Sequence, residues 1–175
     1  MPRGRIAQRL SGGDRRSLGS SDSIADELIR NPSLASELVR CLWSDDECVR
    51  MRAADALEKA SLKTPQILQH FKPELLRLAA QEQQKEVRWH LAQMVPRLSL
   101  NARERQRAIT AFREYLNDSS SIVKTFAMQA LADLAGEDSD ARSEVTDLLR
   151  VLSRSGTPAM RARGRKLLAR LEKKS

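Results

Sequence analysis

The sequence predicts an all-α protein in which helix pairs stack into an α-α superhelix. Helical segments of about 10 to 17 residues alternate with short breaks such as NPS, KTP and SGTP, which supply N-caps and proline starts. No stretch alternates apolar and polar residues for long enough to indicate a strand. A twelve-residue pattern, first seen at residues 49–60, recurs along the chain. Such recurrence is typical of helical repeat proteins.

The recurring pattern lies on the second helix of each predicted pair. Its first position is apolar and is repeated at spacings of 38, 36 and 37 residues, at Val49, Val87, Val123 and Met160. Apolar or small residues follow mainly four, seven, eight and eleven positions later, which places them on one face of an α-helix. A single pair of about 37 residues cannot bury such a face, so we expect neighbouring pairs to stack.

The predicted helices fall within one domain, residues 21–175. They cover residues 22–30, 32–43, 46–61, 64–82, 84–98, 101–117, 120–135, 138–153 and 157–173, with an interruption at Pro73. Residues 1–20 are rich in Gly, Ser and Arg and lack an apolar period. That composition predicts a mobile basic arm in front of the helical domain.

The pattern resembles HEAT repeats, in particular the short bacterial type whose second helix reads V-R-x-x-A-A-x-A-L. The matching residues are Val49, Arg50, Ala53, Ala54, Ala56 and Leu57. The resemblance extends over residues 33–173 and implies a solenoid of about four helix pairs with an N-terminal capping helix. Three positions depart from it: Gln84 replaces a capping acid, Pro96 is expected to end or bend its helix, and Gly164 weakens the apolar column.

A basic residue follows the first position of every repeat. These residues are Arg50, Arg88, Lys124 and Arg161. The resemblance implies a ladder in which they bind acids or carbonyls at the turn between helices, with Asp45 or Asp46 as partner of Arg50. Contact with a phosphate backbone is the alternative, and we favour the ladder because paired, partly buried charges are commonly architectural.

The concave face of the solenoid is the predicted binding surface for an unknown protein or peptide partner. It is built from positions of the second helices that point away from the apolar stripe. The candidate residues are Met51, Arg52, Asp55, Trp89, His90, Gln93, Phe126 and Gln129. Trp89 stands out because tryptophan is enriched at binding hot spots, although packing against a neighbouring helix explains Trp89 and Phe126 as well.

Nucleic-acid binding is the alternative function. The net charge of +8 arises at the two ends, since residues 1–20 carry +4, residues 154–175 carry +7 and residues 21–153 carry −3. In this alternative the N-terminal arm and the last helix clamp a phosphate backbone. The contacts expected in the last helix are Arg161, Arg163, Arg165, Lys166 and Arg170. Some HEAT-like proteins act in chromophore attachment, and a role as a lyase or lyase subunit is a third possibility.

No catalytic motif is found in the sequence, and we expect a protein that is not an enzyme and binds no cofactor, metal or small-molecule substrate. Phosphate-binding loops, nucleophile elbows and HExxH are absent. His70 and His90 have no metal-ligand spacing to Cys41 and Cys48. Neither a secretory signal nor a run of about 18 apolar residues is found, which predicts a cytoplasmic protein that does not enter membranes.

Overall fold

The computed structural model describes residues 4–14, 16–136 and 139–173, and the protein is all-α over these ranges. The helices are α1 Arg5–Leu10, α2 Ser21–Arg30, α3 Ala35–Cys41, α4 Glu47–Lys63, α5 Lys72–Gln81, α6 Lys85–Met94, α7 Ala102–Glu114, α8 Ser121–Ala135, α9 Ser139–Ser155 and α10 Pro158–Glu172. Short 3₁₀ segments lie at Pro32–Leu34, Pro65–Phe71, Val95–Arg97 and Tyr115–Asn117. In the described part of the chain, no helix is long and apolar enough to cross a membrane.

The helices form two rows. The second-helix row consists of α2, α4, α6, α8 and α10, and each of these helices packs against the next one in the row. The first-helix row consists of α1, α3, α5, α7 and α9, and from α3 onward each of them packs against the second helix that follows it. This arrangement is the helical repeat solenoid that the recurring pattern predicts.

The repeated apolar positions form the core between the rows. Val49, Val87, Val123 and Met160 are all buried, as are the small residues on the same helix faces. Gly164 belongs to this column, because a Cβ at Gly164 would lie 2.9 Å from the Cβ of Ser153 on α9. The departure from the repeat pattern at Gly164 therefore permits close contact between α9 and α10.

Side-chain caps begin several of the helices. Asp46, Ser120 and Thr157 accept hydrogen bonds from backbone amides in the first turns of α4, α8 and α10, as the sequence predicts. Asn101 and Glu104 form a reciprocal capping box at the start of α7. These caps fix where α4, α7, α8 and α10 begin, whereas α6 starts after Gln84 without a side-chain cap.

Proline fixes two boundaries as predicted. The interruption expected at Pro73 is present, because the 3₁₀ segment Pro65–Phe71 ends where α5 begins, one residue before Pro73. Pro96 lies in the 3₁₀ segment that follows α6, and the α-helix ends at Met94. A proline removes a helical hydrogen bond and crowds the preceding turn, which accounts for the end of α6.

The ladder interpretation is confirmed for Arg50. Its Nη1 donates to the Ser44 carbonyl at 2.7 Å, and its Nε donates to Oε1 of Gln84 at 3.0 Å. The Gln84 amide in turn donates to the Glu47 carbonyl at 3.0 Å. The expected partners Asp45 and Asp46 are wrong, since Asp46 caps α4 and the arginine instead joins two successive units through Gln84.

Arg88 repeats this arrangement one unit later. Its Nη1 donates to Oδ2 of Asp118 at 2.6 Å, its Nε donates to the Glu82 carbonyl at 2.7 Å, and its guanidinium lies 4.9 Å from the centre of the Tyr115 ring. Arg50 and Arg88 are therefore architectural. The side chains of Lys124 and Arg161 form no hydrogen bond or ion pair within the described chain, so the ladder covers two of the four repeats.

The N-terminal segment packs onto the solenoid, which corrects the prediction of a mobile arm for the residues described. Helix α1 contacts α3 and α4, and both Ile6 and Leu10 are buried in the core. Arg9 forms an ion pair with Glu27 at 2.6 Å. Residues 1–3 and 15 lie outside the described residues. The arm prediction missed Ile6 and Leu10 because two apolar positions are too few to show a helical period.

Arg52 holds this segment in place. Its guanidinium donates to the carbonyls of Leu10, Gly12, Asp14 and Ser17 at 2.6–2.9 Å. Four charge-assisted hydrogen bonds offset the cost of burying the cation, although no carboxylate of the described residues is paired with it. The N-terminal loop therefore wraps around one side chain of the first repeat.

Two glycines make this wrapping possible. Gly13 and Gly19 have φ values of +71° and +53°, which favour glycine, and Cβ atoms built there would lie 3.3 and 3.2 Å from the Arg52 guanidinium. The cluster of Gly and Ser residues that suggested flexibility instead allows the loop to approach Arg52 closely.

Replacing Arg52 is expected to release residues 10–17. Arg52→Ala should lower the free energy of unfolding by about 2–4 kcal/mol, as expected when a buried hydrogen-bonded network is broken. Urea denaturation measures the loss, and hydrogen exchange should show faster exchange in α1 and the loop. Arg107→Ala, at an exposed position of α7, is the control and should change stability little. Equal stability of the two variants would contradict the role of Arg52.

Candidate functional site

The side of the second-helix row that faces away from the first-helix row is called here the second-helix surface. It carries side chains three, six and ten positions after the start of each repeat. These are Arg52, Asp55, Lys59, His90, Gln93, Arg97, Phe126, Gln129, Asp133, Arg163, Lys166 and Arg170. Because neighbouring second helices are in register, many of these side chains contact one another across the helix junctions.

The junction between α2 and α4 is closed by polar contacts. Ser21 donates its hydroxyl to Oδ2 of Asp55 at 2.5 Å. Lys59 binds Asp22 at 2.5 Å and Asp55 at 2.6 Å. These bridges leave the Asp55 carboxylate neutralised and buried, so it is not available to a partner.

The junction between α4 and α6 is closed in the same way. Arg97 binds the Glu58 carboxylate at 2.5 Å, and it also donates to the Glu58 carbonyl and the Ser61 hydroxyl at 2.9 and 3.0 Å. His90 Nε2 lies 3.8 Å from Oδ1 of Asp55. Lys59 and Arg97 therefore each pair with an acid of the preceding second helix. Lys59 pairs with Asp22 on α2, and Arg97 pairs with Glu58 on α4.

The junction between α8 and α10 also has polar bridges. Arg163 donates to Oε1 of Gln129 at 2.8 Å, and Arg170 pairs with Asp133 at 2.7 Å. The Gln129 amide donates to Asp133 on its own helix. Arg163 also lies 6.0 Å from the centre of the Phe126 ring.

The junction between α6 and α8 differs from the other three. Gln93 and Arg97 on one side share no hydrogen bond or ion pair with Phe126, Gln129 and Asp133 on the other. A depression of about 290 Å³ lies at this position. It is lined by Ala92, Gln93, Pro96, Arg97, Phe126, Gln129, Asp133 and Arg163. This depression is called here the junction site.

A larger depression continues from the junction site. It measures about 700 Å³ and shares Pro96 and Asp133 with the smaller one. Its remaining lining residues are Leu98, Leu100, Arg105, Leu134, Gly136 and Arg142. The junction site and this larger depression together form one cleft, called here the extended cleft. It runs from the second-helix surface past the ends of α6 and α8.

The structure corrects half of the predicted partner-binding set. Met51, Arg52, Asp55 and His90 are only 4%, 2%, 5% and 7% exposed. The N-terminal segment covers Arg52, while α2 and α6 flank the other side chains. The prediction assumed that the first repeat has an open surface, whereas α1, α2 and their loop cap it.

Three predicted residues meet in the junction site: Gln93, Phe126 and Gln129. Each is partly exposed. Trp89 lies nearby but is packed against the core, with its ring centre 5.7 Å from that of His90. Its backbone carbonyl accepts a hydrogen bond from the Gln93 side chain at 3.2 Å, so Trp89 positions Gln93 without lining the depression.

The basic residues predicted for nucleic acid divide into two groups. Arg161, Arg165 and Lys166 are exposed on α10. Arg163 and Arg170 are partly buried and bind Gln129 and Asp133. The N-terminal segment packs at α3 and α4, whereas α10 packs at α8 and α9, so the two basic ends do not converge on one clamp.

Pro96, Arg97 and Asp133 are site residues that the sequence prediction missed. Arg97 and Asp133 stand ten positions after Val87 and Val123, seven residues beyond His90 and Phe126. Seven residues are close to two helical turns, so both lie on the face that was already selected. Continuing the predicted binding positions by two turns along each helix identifies Arg97 and Asp133. Pro96 can be recognised as a site residue only once the end of α6 is known.

Among the described residues, no group of three His, Cys, Asp or Glu side chains is placed to hold a metal ion. The cysteines are free thiols, and burial raises the pKa of Cys41 to about 11, which keeps its thiol protonated.

His90 is a buried titratable group on α6, three residues before Gln93 of the junction site. Burial lowers its pKa, while the carboxylates of Asp55, Glu58 and Glu86 oppose that shift and Lys59 adds to it. Its Nδ1 has no hydrogen-bond partner among the described residues. The neutral imidazole is therefore the form that the fold accommodates.

Comparison with known proteins shows the fold. No protein-family model and no curated protein matches the chain. Among solved structures, a crystal structure of an engineered protein has a TM-score of 0.67 and 18% identity, with 96% of this chain and 78% of that one covered. Two structures of designed armadillo repeat proteins are also similar. One, in complex with the peptide (KR)4, has a TM-score of 0.61 and 21% identity, with 94% and 71% covered. The other, computationally designed for modular peptide recognition, has a TM-score of 0.61 and 19% identity, with 91% and 78% covered.

The lowered pKa of His90 predicts a loss of stability in acid. The unfolded chain binds this proton more tightly than the folded chain, so the contribution of neutral His90 is fully present above the unfolded pKa of about 6.5 and is lost as the pH falls below it. Between pH 7 and pH 5, the free energy of unfolding should therefore fall more steeply for the wild type than for His90→Gln. Urea denaturation at both pH values measures this difference. Equal losses of stability in the wild type and in His90→Gln would show that folding does not lower the pKa of His90.

Proposed function

We propose that this chain is a non-enzymatic scaffold of HEAT type that binds an extended segment of a partner protein at the junction site. The observation that supports this most directly is the open junction between α6 and α8. Three other second-helix junctions are closed by polar bridges, whereas here Gln93, Phe126 and Gln129 line a depression without bonding across it. The two-helix units α7–α8 and α9–α10 and the V-R-x-x-A-A motif favour HEAT over three-helix repeats.

The side chains of the junction site suit an extended peptide. Phe126 offers an aromatic surface, and the amides of Gln93 and Gln129 supply donors and acceptors that a peptide backbone requires. Packed helices lie about 8–10 Å apart, and an extended chain advances about 3.3 Å per residue. In an extended segment that crosses the second-helix row, about every third residue therefore faces the next helix of the row.

The structural neighbours agree with this proposal at the level of the fold. Two of them are designed repeat proteins associated with peptide binding or peptide recognition. Their identity to this chain is 21% and 19%, so they support the use of such a scaffold for peptides and do not specify a partner. The free thiols of Cys41 and Cys48 fit a protein of the reducing cytoplasm, where we place it.

Nucleic-acid binding receives less support. The predicted clamp needs both basic ends on one face, and they pack at different ends of the solenoid. Of the five α10 cations, Arg163 and Arg170 also bind neighbouring side chains on α8. What supports this alternative is the exposed group of Arg161, Arg165 and Lys166 on the last helix.

Filling the junction site tests the proposal. Gln93→Trp adds a large side chain to the depression, whereas Gln106→Trp adds the same side chain to an exposed position of α7 in the first-helix row. Both variants and the wild type are used to isolate binding partners from the native cell lysate. We expect Gln93→Trp to lose roughly tenfold or more of a partner that Gln106→Trp retains, since steric exclusion removes a central contact.

Circular dichroism and urea denaturation must show that both variants are folded. Partner sets that are identical for the wild type and both variants would contradict binding at the junction site. A partner lost only with Gln106→Trp would move the binding surface to the first-helix row.

A further inference from the structure

The charge around the extended cleft is mainly positive. Arg97, Arg105, Arg142 and Arg163 contribute side chains to its two depressions, and Asp133 is the acid among the described lining residues. The sign of the charge that remains after internal pairing decides what kind of segment the cleft attracts.

Contacts within the protein already neutralise Asp133, so this acid does not cancel the remaining positive charge of the cleft. Asp133 is neutralised by Arg170, and Arg97 is neutralised by Glu58. Arg163 donates to the neutral amide of Gln129. Arg105 forms only a long, weak hydrogen bond of 3.5 Å to the Leu100 carbonyl. Neither Arg105 nor Arg163 forms an ion pair with a carboxylate of the described chain. Among the described lining residues, these two cations leave an excess of positive charge.

Four apolar side chains form the floor of the extended cleft, although most of its exposed surface is polar. Pro96, Leu98, Leu100 and Leu134 line its larger depression, and Leu98 and Leu134 are themselves buried. A volume of about 700 Å³ is larger than one aliphatic or aromatic side chain requires. Burial of such a side chain contributes about 1.5–3 kcal/mol, so the floor favours an apolar residue of the partner.

We propose that the partner segment is an acidic peptide with a large apolar residue, whose carboxylates bind Arg105 and Arg163 while the apolar side chain enters the extended cleft. This inference rests on the proposed function and adds the chemistry of the partner. Arginine binds carboxylates through two parallel hydrogen bonds, and an apolar floor beside it strengthens that attraction by excluding water. A phosphate backbone would satisfy the arginines but carries no aliphatic group for the floor.

A depression of about 280 Å³ beside the polar bridges of the α2–α4 junction does not share this chemistry. Between α2 and α4, the exposed acids Asp22 and Asp26 are matched by Lys59 and Lys63 beside the apolar Ile29 and Leu62. A balanced patch gives no preference for an acidic segment. An acidic segment is therefore expected to prefer the extended cleft to the depression between α2 and α4.

Selection from a random peptide library tests the charge and the location together. A phage-displayed library of twelve-residue peptides is selected on the immobilised wild-type chain at physiological salt, and enriched peptides are synthesised with a fluorescent label. Affinities are measured by fluorescence polarisation for the wild type, Arg105→Gln, Arg163→Gln and Arg107→Gln. Arg107 is exposed on the same helix as Arg105 but does not line the cleft, so it is the matched control.

We expect enriched peptides to contain Asp or Glu next to Leu, Ile, Phe or Trp. Arg105→Gln and Arg163→Gln should each weaken binding by roughly tenfold, the effect of losing one charge-assisted hydrogen bond, and Arg107→Gln should not. Enriched peptides that are basic, or acidic peptides that bind all four proteins equally, would overturn this inference while leaving the proposed function intact. Failure to enrich any peptide would overturn both. Equal displacement of the peptide by an oligothymidylate of the same charge would indicate a phosphate site and also overturn it.

Discussion

The structure depends on the inability of one helix pair to bury its own apolar face. Val49, Ala53 and Leu57 become core residues only because α4 packs between α2 and α6, and the same holds for each later second helix. The two ends of such a stack need covers. At the N-terminal end, α1 and the loop held by Arg52 supply the cover, and at the C-terminal end α10 turns exposed arginines toward solvent.

The same stacking determines where a partner can bind. Helices in register bring equivalent side chains together, and most of them satisfy one another: Asp55 with Ser21 and Lys59, Glu58 with Arg97, and Asp133 with Arg170. The junction between α6 and α8 stays open because its charged groups are paired in opposite directions. Arg97 binds toward α4 and Asp133 toward α10, which leaves the neutral Gln93, Phe126 and Gln129 facing one another. The proposed site is therefore a consequence of how the neighbouring junctions are closed.

The sequence predicted the fold well because periodic packing leaves a periodic signal. The aligned column, the caps at Asp46, Ser120 and Thr157, and the ladder at Arg50 and Arg88 are all local or repeated features. The site was predicted in part, since Gln93, Phe126 and Gln129 line the depression while Met51, Arg52, Asp55 and His90 are buried. Burial of Arg52 depends on a loop that folds back through residues 10–14, 16 and 17, and no local pattern indicates a contact that distant along the chain.

Mapping of a bound peptide by amide chemical shifts would test the central claim most directly. The labelled chain is titrated with a peptide that it binds, and the backbone amides that shift are located in the fold. Binding at the open junction predicts the largest shifts at residues 92–97 and 126–133, with smaller shifts near residues 100–105. Shifts confined to α1–α4, or to the exposed face of α10, would show that the partner binds elsewhere and would contradict this account.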